Sequence, residues 1–544
     1  MTLLGQYSLY LFGAAAFWIF NRFTVRVAIV VTIVGGYLLL PTRAEIDLPM
    51  LPAFNKHSVP VFMVIALLLM RKTPPSGTMR GPIPLNWLPL ALVAILFAGI
   101  FGTVMTNGDA LNIGTRRLQG LVLYDAFSTG LTTLVLLLPL VVGRKYFARA
   151  QDHKLLLQLL VLAGLLYSLP ALYEVRMSPQ LNRMFYGYFS HHWLQHIRGN
   201  GFRPLVFLEH GLWLAVFLSG ATMAAAGLWR QEKDAKWKTR YLIATIWLYG
   251  TLFMSKSLGA FMVTSVLLPL ILITHVRLQM MVAAAIAALV LTYPVLRSAD
   301  VVPVYDFVDF VESNISEDRA SSLRFRLEQE DALLEKARER YAFGWGGYGR
   351  PRVYDPNTGQ DLSTVDGAWI IFLGAGGLAN YFTKFGLLSL VVILLWVRAG
   401  SFRIGQTTAA LMVIMAGNLV DLIPNGGQTV VTWLIAGALW GRFELGRAHD
   451  EVPETNTVGI AEPPPSPVAS GTRGATVYTR HGPDPARSRT PATAKANADT
   501  VTDAPDTATP ATTFLDKAQV RDRTGPVYTR QVRSALTRRS KASG

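Results

Sequence analysis

The chain has 544 residues, of which 51% are hydrophobic and 16% charged, and its mean hydropathy is +0.33. Soluble globular domains carry about 25% charged residues, so this composition excludes an ordinary soluble protein and points to a polytopic membrane protein. The formal net charge of +16 does not imply a nucleic-acid partner, because the basic residues sit in short loops beside apolar segments, as membrane topology requires. The absence of cysteine excludes disulfides, thiolate catalysis and iron–sulfur ligation.

A spanning helix needs about 20 mostly apolar residues. Taken in order, the candidates are 3–20, 26–41, 58–70, 87–106, 126–143, 155–173, 204–227, 241–254, 257–275, 279–296, 369–397, 407–423 and 428–445. The sequence therefore predicts an all-α polytopic membrane protein of about 12–13 transmembrane helices. The first stretch lacks a basic leader and an Ala-x-Ala-like cleavage site and is expected to remain as a span. Alternate loops hold Arg22/Arg26, Arg71/Lys72/Arg80, Arg144/Lys145/Arg149, Arg230 to Arg240, Arg277 and Arg398/Arg403. These short basic loops are expected on the cytoplasmic side. The loops 42–57, 107–125, 174–203, Ser255-Lys256-Ser257 and 297–368 then face outward.

Three constellations stand out in the outward set. In 191–210, Arg198 and Arg203 precede a helix expected to open at Pro204, a residue suited to a first helical turn. Glu209 and His210 then fall one to two turns inside the membrane, with Arg203 and His210 on one face. Ionisable groups at that depth are costly and mark function unless they merely pair with neighbours. His191, His192 and His196 lack the Glu of an H-E-x-x-H zinc motif and read as interfacial histidines. Second, Lys256 in the polar break 255–257 either snorkels or holds an anion.

The third is the polar island between the tenth and eleventh candidate spans. Ser321 is expected to cap a helix running to about Phe343, with Leu323, Leu327, Leu334, Ala337 and Tyr341 on one face. This amphipathic helix should lie on the outer membrane surface or over a cavity. Arg324 and Arg326, in its first turn, can both reach one polyanion, and arginine suits phosphate through its planar fork. Trp345, Tyr348, Arg350 and Trp369 supply aromatic and basic side chains suited to binding a glycan. Asp366, at the membrane surface, is positioned as a general base. Gly344 to Gly349 has no P-loop lysine and reads as a turn. No metal cluster or cofactor motif is present, so no metal and no cofactor are expected. Residues 447–544 are rich in Pro, Thr, Ala and Ser without apolar period and are expected to form a disordered cytoplasmic tail. Its repeated phrase, Val477-Tyr478-Thr479-Arg480 and Val527-Tyr528-Thr529-Arg530, reads as low-complexity repetition.

The chain thus presents, in order, Arg198-x-x-Gly201-Phe202 before a helix, Ser255-Lys256-Ser257-x-Gly259-Ala260, and a large loop. That loop begins Ser321-x-x-Arg324, runs through Gly344-Trp345-Gly346 and ends in Asp366-Gly367-x-Trp369-Ile370. Across residues 1–446 this order resembles the O-antigen ligase/polymerase family of bacterial polysaccharide assembly, and most of all its exopolysaccharide repeat-unit polymerases. The resemblance implies a metal-independent, inverting glycosyltransferase of the polytopic C-type fold in the bacterial inner membrane, with the 297–368 loop periplasmic. Its substrates would be oligosaccharides linked to undecaprenyl pyrophosphate, and other polysaccharide-assembly proteins would be its partners. By motif match, Arg198 or Arg203 together with Arg324 would face the pyrophosphate, with Arg326 and Lys256 nearby. Ligase-type members carry a histidine near the end of the loop, where this chain has Asp366. Asp366, Glu209 and His210 are therefore the candidates for deprotonating the acceptor. A ligase or a flippase is the alternative function.

Overall fold

A computed structural model describes residues 1–48, 52–71, 75, 77–79, 81, 86–190, 193–198, 201–299, 301, 303–314 and 317–446. The expectations placed on Lys72, Arg80, His191, His192 and the 447–544 tail lie outside the described residues. The helices, in chain order, are α1 (Leu3–Arg22), α2 (Val25–Leu39), α3 (Val59–Leu69), α4 (Trp87–Met105), α5 (Leu123–Tyr146), α6 (Ala150–Met177), α7 (Leu181–Tyr186), α8 (Gly211–Gln231) and α9 (Ala235–Met254). They continue as α10 (Leu258–Ile273), α11 (Val276–Ser298), α12 (Val304–Asn314), α13 (Glu317–Arg338), α14 (Ala368–Val397), α15 (Ala399–Phe402), α16 (Gln406–Asp421) and α17 (Val430–Leu445). A 3₁₀ turn at Trp193–His196 and one hairpin, β1 (Leu111–Ile113) against β2 (Arg116–Leu118), complete the described elements.

Every apolar stretch identified in the sequence forms a helix. Among the described residues, seven are long and apolar enough to cross a membrane: α1, α4, α5, α6, α8, α11 and α14. The remaining six are shorter or more polar than that. Helices α16 and α17 have 16 residues each, and at about 1.5 Å per residue they reach roughly 24 Å, short of a ~30 Å hydrocarbon core. They tolerate this because they are interior: every residue of α16 from Gln406 to Leu419 is buried, and α17 is buried from Val430 to Arg442. Helix α8 shares that centre, wrapped by α6, α9, α10 and α16.

Small residues set the closest crossings, as expected where lipid gives apolar side chains no preference for each other. Helix α17 carries Gly437-x-x-x-Gly441, and α5 presents Gly143 to it. A Cβ on Gly437 would lie 2.1 Å from the Leu140 carbonyl oxygen, and one on Gly143 would lie 2.2 Å from that of Leu434. Helix α14 is broken at Gly377, where φ is 64°. The chain from Tyr341 to Gly346 fills the break: Leu378 and Ala379 donate to the Tyr341 and Ala342 carbonyls, while Trp345 and Gly346 donate to Gly374 and Ala375. The backbone groups freed by the break are thereby satisfied from the island.

The two sets of loops lie at opposite ends of the bundle. At the basic end, Arg26 pairs with Asp152 (2.8 Å), and buried Arg144 pairs with buried Glu444 (2.6 Å). At the other end, α12 and α13 form a short antiparallel cap whose Val308, Val311, Ala320 and Leu327 make a small core. The far part of α13 (Leu333, Leu334, Ala337) joins the main core. One expectation is corrected here: helix α13 starts at Glu317, one turn before Ser321. Its apolar face is divided between α12 and the bundle. Helix α12 escaped the sequence reading because Asp306, Asp309 and Glu312 interrupt its Val304, Val308 and Val311 stripe.

Candidate functional site

The loop from Gly187 to His210 does not become helical at Pro204. The Glu174 carboxylate, on α6, accepts from the backbone N–H groups of Leu205 (2.8 Å), Val206 (2.7 Å) and Leu181 (2.9 Å). The Tyr167 hydroxyl accepts from Phe207 N–H at 3.1 Å. With these donors committed, Val206 is held at φ 56° and α8 starts only at Gly211, capped by His210 (Leu212 N–H to Nδ1, 3.1 Å). Glu209 and His210 therefore sit on a pinned loop at the mouth of the bundle and not inside a membrane helix, and Arg203 and His210 share no helix face.

That loop fixes Arg203. Its backbone N–H donates to His196 (2.8 Å), its stem lies on Gly211, and its Nη2 donates to the Lys256 carbonyl at 3.4 Å. Its Nε is buried without an acceptor, and among the described residues no carboxylate pairs with it. Burial, with the nearby charges of Arg198 and Arg326, lowers its pKa to about 10. Lys256, at φ 55°, donates its ammonium to the Arg198 carbonyl (2.8 Å) and so ties Arg198 to the break before α10. Arg326 reaches Asp366 at 3.7 Å. The fold thus gathers Arg198, Arg203, Lys256 and Arg326, four of the five expected pyrophosphate residues. Arg324 is not among them: its guanidinium is committed to Asp309 (2.8 Å) and Glu312 (3.0 Å).

Facing this cluster is a group contributed partly by the turn before α3. Buried Lys56 donates to the Phe207 carbonyl (2.9 Å) and lies 3.7 Å from Glu209 Oε1. Burial lowers the Lys56 pKa to about 8 against the restoring charge of Glu209. His57 Nε2 lies 2.8 Å from the same Oε1. Burial alone would raise the Glu209 carboxyl, but the His57 hydrogen bond and the Lys56 charge outweigh it and hold the group below its ordinary value. The His57 ring packs edge-on against Trp213 at 5.8 Å. Gly427 passes so close to that indole that a Cβ would lie 2.2 Å from Nε1, and Gly426 abuts the Asp366 carbonyl. These contacts run as one chain from Glu209 through His57, Trp213 and Gly426–Gly427 to Asp366 and Arg326, and the charge of Arg326 acts on Arg203, which lies on the Glu209 loop; together these groups form the rim.

Helix α13 adds a carboxyl that sequence reasoning missed. Glu330 is raised to about 7 by burial, against the opposing effects of the Trp369 indole and Arg297. Its neighbour Gln329 accepts from Thr364 N–H at 3.0 Å, anchoring the turn that carries Asp366. Three of the four glycan-binding candidates are taken into the fold. Trp369 is fully buried and Trp345 nearly so. The Trp345 indole donates to the Lys336 carbonyl (2.7 Å) under the Lys336 ammonium. Arg350, also buried, donates to the carbonyls of Trp345 (3.1 Å), Asp109 (2.8 Å) and Gln119 (3.0 Å), a clamp between the island and the β1–β2 hairpin. Tyr348 alone of the four is open, 65% exposed, with its hydroxyl on Asp125 (2.7 Å). Among the described residues no three His, Asp or Glu side chains converge as metal ligands.

Fold and rim together define a multi-pass membrane protein with a positively charged polar site at the end of its helix bundle. No protein-family model matches the chain, and no characterised protein is detectably similar to it in sequence.

Proposed function

We propose that this protein polymerises oligosaccharide repeat units carried on undecaprenyl pyrophosphate, by inverting, metal-independent glycosyl transfer at the outer face of a bacterial inner membrane. The observation that carries the reading is Arg203: a half-buried guanidinium, flanked by Arg198 and Arg326 and without a carboxylate partner among the described residues, at the mouth of an apolar bundle. Such a cation calls for a polyanion whose remainder is at home in lipid. A polyprenyl diphosphate meets both needs, and bidentate arginine contacts suit its oxygens.

In the reaction the acceptor hydroxyl attacks the anomeric carbon, the bond from that carbon to the diphosphate oxygen breaks, and the electron pair leaves with the diphosphate. Arg203, Arg198 and Arg326 stabilise the growing charge, the role a metal would otherwise fill. The hydroxyl is activated at the Glu209 end of the rim. Asp366 lies 3.7 Å from Arg326, at the cationic side of the rim, and the Nδ1 of His210 is occupied in capping α8. The basic end of the bundle faces the cytoplasm under the positive-inside rule, which directs the rim outward and puts the 447–544 tail inside.

The test is the size distribution of surface polysaccharide in a deletion strain, measured with its lipid-linked intermediates. Single repeat units accumulating on lipid, without long chains, support polymerisation. Long lipid-linked chains that never reach an acceptor would make it a ligase, and unaltered glycan and intermediates would overturn the reading in favour of transport.

A further inference from the structure

The carboxylate on the rim is held mainly by protein groups, with its side chain 27% exposed. Glu209 Oε1 already receives His57 at 2.8 Å and faces Lys56 at 3.7 Å, and Oε2 is buried away from solvent with no donor. The group that carries this carboxylate's influence to the open side is His57. One ring nitrogen, Nε2, is bound to Glu209, and the residue is 35% exposed beside Trp213. A histidine held by a carboxylate at one nitrogen and open at the other is the arrangement by which an imidazole takes a proton from an attacking hydroxyl.

We infer that His57 is the base of this site, its Nδ1 accepting the proton of the acceptor hydroxyl while Glu209 acts behind it as a positioning residue. This rests on the glycosyl-transfer reading above. As the hydroxyl oxygen bonds to the anomeric carbon and the diphosphate departs, the O–H proton passes to Nδ1. The imidazolium so formed keeps its Nε2–H on Glu209 Oε1, where the carboxylate charge stabilises it. Lys56 has a separate part. Its ammonium, buried and bound to the Phe207 carbonyl, keeps Glu209 ionised between turnovers, so that the carboxylate accepts from the imidazole and does not bind the proton itself. Trp213, itself backed by Gly427, packs against the ring at 5.8 Å, and with Nε2 taken by Glu209 the reactive nitrogen is Nδ1.

No sequence motif marks His57, because its partner lies 152 positions away. The pinned 205–210 loop is what delivers Glu209 to it.

The experiment uses the full chain in nanodiscs, with lipid-linked repeat units extracted from the deletion strain as substrate and inorganic pyrophosphate as the binding probe. His57→Ala should lower kcat by about 100-fold or more, the range for loss of a positioned base, while pyrophosphate affinity stays within about twofold. Added imidazole should restore at least about tenfold of that loss, which a merely structural histidine would not allow. His57→Gln keeps a donor for Glu209, and with it the fold, yet should be as slow as His57→Ala. Glu209→Gln should lower kcat with little change in KM and add little in the His57→Ala background, since paired groups act as a unit. A full rate in His57→Gln, or a His57→Ala defect untouched by imidazole, overturns the assignment while transfer by the unaltered protein keeps the wider reading intact. Absence of transfer by the unaltered protein, which still binds pyrophosphate, overturns both.

Discussion

Replacing Arg203 by methionine should raise the stability of the unliganded protein and abolish its response to diphosphate. The guanidinium is partly buried, pairs with no carboxylate among the described residues, and its pKa is depressed from the ordinary arginine value to about 10. At ~1.4 kcal/mol per unit, the fold carries an upper limit of roughly 3 kcal/mol against this charge. Methionine keeps the apolar stem against Gly211 and removes that repulsion from Arg198 and Arg326. Thermal unfolding of the purified full chain should therefore show a midpoint a few degrees higher than that of the native sequence. Adding a polyprenyl diphosphate should reverse the order, because a ligand at 100 times its Kd stabilises the binding-competent protein by about 2.7 kcal/mol. The control is Arg350→Met, at a guanidinium buried just as surely but bound to three carbonyls. Leaving those unpaired costs about 1–3 kcal/mol each, so its midpoint should fall steeply. A fall of similar size in Arg203→Met, or an undiminished diphosphate response, would refute the reasoning.

Three further outcomes follow from particular contacts. Glu330 is raised from 4.5 to about 7, so the native state retains a proton that the unfolded chain releases; stability is fully present below pH ~4.5 and declines up to pH ~7. Glu330→Gln should flatten that decline, by at most roughly 3 kcal/mol between pH 4.5 and 8, and equal slopes in midpoint-versus-pH plots would exclude the assignment. Gly437→Leu should prevent α17 from seating on α5, because its Cβ would lie 2.1 Å from a backbone oxygen, whereas Gly35→Leu, with nothing within 4 Å of its Cβ, should leave monodisperse protein on gel filtration. Arg324→Ala should retain polymer synthesis, since exposed ion pairs are worth under about 1 kcal/mol; an inserted but inactive variant would return Arg324 to the site.

The helices were legible in the sequence because their signal is local: an apolar run near the length of a bilayer needs no partner to be recognised. The start of α8 was not legible, since nothing near Pro204 announces that Glu174, some thirty positions earlier, takes the N–H groups a helix would need. Helix α12 was hidden by acids that turn outward to pair with Arg324. His57 was invisible for the same kind of reason, being one histidine beside an apolar run with its carboxylate in a distant loop. Glu330 carried no signal either, because its shift comes from burial under the turn holding Asp366 and Trp369.

The arginines make the general point. Arg203, Arg324 and Arg350 are equivalent by sequence: each lies in a polar loop or island next to glycine or aromatic residues, and each was expected to meet the substrate. Their roles diverge only when their acceptors are counted. Arg350 has its donors filled by three backbone carbonyls and by the side chains of Asn107 and Asp109, and holds the island to the hairpin; Arg324 is paired with two carboxylates on α12; Arg203 retains one long bond and a buried nitrogen without an acceptor. A buried donor without a partner costs stability, and Arg198 and Arg326 add to that cost. The fold bears it at this rim, and an incoming diphosphate would supply the missing acceptors. Loop position marked where a polar substrate is handled, and among these three arginines it is the incomplete satisfaction of Arg203 that separates the group facing the substrate from the two that hold the fold.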